Sequence, residues 1–167
     1  MHRGGHRHQQ RHAPRRAQRV ESCVEAVFLS AALTRFEERA HALRSDGNVL
    51  LPERLEELWR QLAARYRGPA CDPSPGGGRQ WALVPHLVHE PFYTYAYAFA
   101  TLMCLALLAA RRQAAALFAA RFGVFLRGGG SAGPVEQLRE LGVDPLRDDA
   151  WQAGLDELER MVRGIDP

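Results

Sequence analysis

Residues 91–110, PFYTYAYAFATLMCLALLAA, run for twenty positions without a charge and are closed by Arg111 and Arg112. No other feature limits the fold as strongly, because a run of that length either crosses a bilayer or has to be covered by other protein. Tyr93, Tyr95 and Tyr97 occupy alternate positions in its first half, and Thr94 adds another hydroxyl. Hydroxyls spread that far in would lie in hydrocarbon, not only in an interfacial belt. The neighbouring segments also carry apolar faces that need a partner. The expectation is therefore a long core helix, opened by Pro91 and buried by its neighbours. Two alternatives stay open from a different class: a single-span membrane anchor, and a noncatalytic helical binding module built round this run.

The rest of the chain supplies helices to cover it. Val20, Val24, Val27, Phe28, Ala31, Ala32 and Phe36 recur at three and four, which predicts a helix from about 15 to 44. Gly47 is its expected left-handed stop. Pro52 begins a second helix whose apolar face is Leu55, Leu58, Trp59 and Leu62, ending near Gly68. Residues 69–79 read as a loop, and residues 81–85 as a short extended stretch. Further helices are expected over about 112–127 and 134–141. A last one runs to Met161 with Asp148 as its N-cap. Since no segment shows strand alternation, the fold class is all-α.

Length and charge bound the function classes. The chain has 167 residues, enough for one domain, with 46% hydrophobic and 25% charged residues. Its formal charge of +3 belongs to the start: residues 1–20 hold six of the 22 basic residues and no acid. The other residues set 16 arginines against all 19 acids, a net of −3. That excludes a polybasic nucleic-acid domain, so no nucleic-acid partner is expected. Residues 1–14 have no apolar period and read as a disordered Arg/His-rich tail, with residues 15–167 as the folded body. A weak metal tract at His6 and His8, or a basic arm, are other readings of the tail. Cys23, Cys71 and Cys104 lie far apart in no paired spacing, which argues for a reducing compartment and a cytoplasmic location.

Chemistry gathers around residues 81–99, WALVPHLVHEPFYTYAYAF. Trp81, Pro85-His86, Pro91-Phe92-Tyr93, Tyr95 and Tyr97-Ala98 stand in that order, and the segment resembles the C-terminal catalytic part of the oligoendopeptidase F group, zinc metallopeptidases related to thimet oligopeptidase. Phe36-Glu37 with His41 resembles that family's FE-x-x-x-H helix. Downstream, Gly129-Gly130-Ser131, Leu141-Gly142-Val143-Asp144, Trp151 and Gly154-Leu155 follow in family order. The resemblance covers roughly residues 16–163; Ala100 departs from it, standing where the family usually has Gly.

The resemblance implies a helical C-terminal part of a catalytic domain acting on short peptides. In such enzymes zinc polarises the scissile carbonyl and activates water, and the tetrahedral intermediate needs donors aimed at its oxyanion. His86, Tyr93 and Tyr97 are the implied donors, with Tyr95 as a weaker substrate contact. Tyr93 and Tyr97, four apart, would share one helix face. Glu37 and His41, also four apart, have no implied role in catalysis. The zinc ligands are missing: the one His-Glu pair, His89-Glu90, is followed by Pro91, and position 93 is Tyr where His-Glu-x-x-His needs His. Zinc is thus the cofactor of the complete family enzyme, with no tight metal site expected on this chain. The expectation is a C-terminal piece of a peptidase, inactive alone. Oligomeric state is not legible.

Overall fold

The computed structural model describes residues 5–68 and 77–165, and every regular element among them is helical. The chain begins with α1 (Gly5–Val24), passes through a π-helical stretch, Glu25–Leu29, and continues as α2 (Ser30–Ser45). Here the helix reaches back into the segment expected to be disordered. Residues 5–14 are helical in backbone, and residues 1–4 lie outside the described residues. Gly47, at φ 84°, ends α2 as expected, and the Asn48 backbone N–H and Nδ2 both donate to the Leu43 carbonyl.

The described residues divide into two compact units. One comprises residues 24–99. Its core is Ala32, Leu33 and Phe36 of α2 against Trp59 and Ala63 of α3 (Pro52–Arg67), with Trp81, Val84 and Leu87 packed on it. Phe36 meets Trp59 edge-on at 5.7 Å and Trp81 at 5.3 Å. The expected extended stretch near Trp81 is instead a 3₁₀ segment, Gly77–Leu83, followed at once by α4 (His86–His89). Winding the chain there brings Trp81, Val84 and Leu87 onto the same core, which an alternating strand could not do. Most of the expected loop, residues 69–76, lies outside the described residues.

The other unit holds the start of the chain and residues 100–167. Its helices are the later part of α5 (Tyr95–Gln113), α6 (Ala115–Gly128), α7 (Pro134–Glu140) and α8 (Asp148–Arg163). The stripe Leu102, Met103, Leu105 and Ala106 of α5 is buried, as are Leu138, Leu141, Val143, Ala150 and Leu158. Gly154 marks a close approach of α8 to backbone: a Cβ there would lie 2.6 Å from the Leu102 carbonyl oxygen. Next to it, Glu157 is buried and ion-paired with Arg112 at 3.0 Å and Arg160 at 2.6 Å.

Several boundaries differ from the expectation. The core helix begins at Tyr95, not Pro91, and it is buried along one stripe only, with Tyr95, Tyr97 and Cys104 exposed. Its uncharged part spans only residues 95–110, and no helix of the described residues is long and apolar enough to cross a membrane. The break before α6 falls at Ala114, whose φ of −146° is not helical. Asp148 lies inside α8, with Arg147 at the cap position and no side-chain capping bond.

Candidate active site

The delayed start of α5 shapes the site. After α4 the chain makes a tight turn over residues 90–94, in which Phe92 takes φ 60°. Positive φ pushes the Cβ of an L-residue toward its own backbone and costs roughly 1–2 kcal/mol. Three contacts from α2 hold this turn. Glu37, 3% exposed, accepts the Phe92 N–H on Oε1 at 2.7 Å. Thr94, equally buried, bonds the Thr34 hydroxyl at 3.0 Å. Thr34 sends its single proton to the Ser30 carbonyl at 2.8 Å, so it is Thr94 that donates to Thr34. The His41 ring lies 4.8 Å from that of Phe92. Thr34, Glu37 and His41 are spaced i, i+3 and i+7, one face of a helix. Glu37 and His41 have no catalytic role at the level of sequence, and Thr34 carries no signal there; the structure gives all three one task, gripping the turn.

From the turn the candidate residues come together. The Tyr97 hydroxyl and His86 Nε2 are 3.0 Å apart, in hydrogen-bond contact. Tyr93 stacks on the His86 ring at 5.9 Å and 11°, and meets Tyr97 edge-on at 5.8 Å. His86 and Tyr97 also cross edge-on at 5.6 Å. Tyr93 and Tyr97 are 47% and 44% exposed, so both present their rings to solvent instead of sealing a core. With a proton on Nδ1 alone, His86 accepts from Tyr97; with a proton on Nε2, it donates. In the second state both the hydroxyl and Nε2 carry a proton that can turn toward an incoming oxygen; in the first only the hydroxyl does.

The four sequence candidates fare differently. His86, Tyr93 and Tyr97 form one cluster. Tyr93 reaches it from the turn, not from the helix face expected of it, because α5 starts two residues later. Tyr95 is exposed, and no bond or ring contact joins it to the cluster among the described residues. His86 belongs to the short α4.

The sequence model of peptidase family M3 matches residues 2–157, nearly the whole chain. The chain belongs to this family. A relative from Lactococcus lactis subsp. lactis, described as an oligoendopeptidase F homolog, is 27% identical over 150 residues, covering 86% of this chain and 25% of its own length. An oligopeptidase PepF from Bacillus subtilis is 27% identical over 146 residues, covering 83% of this chain and 22% of its own. An oligoendopeptidase F homolog from Borreliella burgdorferi is 25% identical over 125 residues. The chain thus spans about a quarter of the length of the curated relatives it matches. No solved structure matches it. The M3 match includes the α2 grip, the turn and the whole His86–Tyr93–Tyr97 cluster. Among the described residues, no group of three or more His, Cys, Asp or Glu is placed to hold a metal ion.

Proposed function

We propose that this M3 chain carries the oxyanion and substrate side of a zinc oligoendopeptidase that hydrolyses short peptides, and that it does not hydrolyse them alone. The observation that carries this reading is the His86–Tyr97 hydrogen bond, with Tyr93 stacked beside it on an open surface. When water adds to a peptide carbonyl, the oxygen gains negative charge. Donors already aimed at that position stabilise it without reorganising. Tyr97 O–H and His86 N–H, each released from the other, are suited to that oxygen, while Tyr93 holds the imidazole plane. Tyr95, exposed one residue on from the buried Thr94, is offered to the substrate chain. The zinc chemistry of the family would come from sequence other than these residues. A cytoplasmic location is part of the same reading.

The test grafts residues 16–163 onto the zinc-bearing part of a full-length M3 oligoendopeptidase. Replacing Tyr97 by Phe removes one donor and almost no volume. Loss of a single oxyanion donor is expected to lower kcat by about 10²–10³, with zinc content and fold unchanged. Near-normal turnover of the Tyr97→Phe chimera would show the hydroxyl to be a packing feature and overturn the reading.

A further inference from the structure

We infer that Glu37 is a positioning residue for the His86–Tyr93–Tyr97 donor set, acting through the Phe92 amide. The inference rests on the oxyanion reading for its functional meaning, but its geometry stands on separate observations. His86 lies on one side of the 90–94 turn and Tyr97 on the other, so the turn's shape fixes how the two meet. That shape depends on a strained residue. Phe92 at φ 60° has no glycine's freedom, and without a restraint it would relax to negative φ. Tyr93 follows directly, so such a relaxation would swing its ring off His86.

The restraint is the Glu37 carboxylate. It is buried, it accepts the Phe92 N–H at 2.7 Å, and its other oxygen, Oε2, is buried with no hydrogen-bond partner among the described residues. A buried carboxylate with a single acceptor bond is costly to keep, and here that bond goes to the backbone amide of a strained residue. The turn then feeds the helix: the Ala96 N–H donates to the Tyr93 carbonyl at 3.0 Å and the Tyr97 N–H to the Thr94 carbonyl at 3.3 Å. Tyr97 is therefore placed by the first turn of α5, which starts where the restrained turn ends. Among the described residues no hydrogen bond joins Glu37 to His86 or to a tyrosine of the cluster, so its action on them runs through the turn.

The experiment uses the full chain and nuclear magnetic resonance. In the unaltered protein the Phe92 amide should exchange with solvent roughly ten- to a hundred-fold more slowly than an unprotected amide, the scale of one charge-assisted bond. Exchange at the unprotected rate would overturn the inference. The His86 ring protons feel the ring currents of Tyr93 and Tyr97 and report the cluster directly. Glu37→Ala should move these resonances toward their free-histidine positions while the indole resonances of Trp59, in the core of the same unit, stay native. Glu37→Gln keeps an acceptor oxygen and puts an amide where Oε2 bonds nothing, so it should restore the His86 positions. Native His86 resonances in a folded Glu37→Ala protein would overturn the inference, as would failure of Gln to restore them. If the Ala variant does not fold, the Gln variant and the exchange rate of the unaltered protein decide. None of these readouts involves turnover. A Tyr97→Phe chimera that stays active would defeat the oxyanion reading and leave them unmoved, so the two failures are distinguishable.

Discussion

The two ends of α5 are held by different physics. In the unit of residues 24–99, its start is fixed by polar groups: a buried carboxylate on a strained amide and a hydroxyl pair, with the site tyrosines left exposed beside them. In the other unit, its later part is fixed by contact. Gly154 lets α8 reach the Leu102 backbone, and a buried stripe of α5 closes around that approach. Even the charged group there, Glu157, serves packing, tying α8 to Arg112 at the end of α5. Directional bonds specify where one residue points; close packing specifies how near two backbones come. The candidate cluster rests on the first, and the scaffold on the second.

The sharpest way to break this contrast is at Gly154. In an ordinary helix interior, Gly→Ala would stabilise by roughly 0.8–1 kcal/mol. Here the added methyl meets backbone, which cannot swing aside, so Gly154→Ala should instead destabilise by about 3 kcal/mol, the upper end of overpacking costs. Thermal or denaturant unfolding measures this. A stabilised variant would mean that close contact does not hold this unit.

A smaller effect is expected on acidification. Hydrogen bonding from Arg160, aided by the charges of Arg160 and Arg112, holds the Glu157 carboxyl below its ordinary value against the opposing pull of burial. A depressed folded-state value means the contribution is complete above the unfolded value and is lost as pH falls through the folded one. Bonds to charged groups are worth about 1.5–3 kcal/mol, and the half-exposed arginines point to the lower end. Unfolding free energy should fall by that amount toward low pH, and Glu157→Gln should flatten part of that dependence. An unaltered acid profile in Glu157→Gln would remove Glu157 from the account.

The smallest effect probes the polar side. Thr34→Val leaves the buried Thr94 hydroxyl without its acceptor and should cost about 1 kcal/mol. Replacing both threonines by Val leaves no orphaned group at that contact, and the double variant should recover part of the loss. Simple additivity of the two changes, measured by a double-mutant cycle, would show that the hydroxyls do not act as a pair.

Much of this molecule can be read without coordinates. The three-and-four recurrence from Val20 to Phe36, Pro52 ahead of Leu55 and Trp59, and Gly47 as a stop each determine helix locally, because periodicity and backbone freedom are properties of neighbours in sequence. His86, Tyr93 and Tyr97 could be named as candidates as well, through resemblance to one peptidase group, and the structure brings the three side chains together. What sequence alone could not decide is where the helix of residues 91–110 begins. Pro91 is a sound first residue by local rules, yet the helix waits until Tyr95, because Glu37 and Thr34, far away in the chain, bind Phe92 and Thr94. Long-range hydrogen bonds from buried groups outweigh a local preference of about 1 kcal/mol. For the same reason Tyr93 joins the cluster from a strained turn: a positive φ at phenylalanine is unfavourable in every local accounting, and only the packed carboxylate beneath it makes that conformation the stable one.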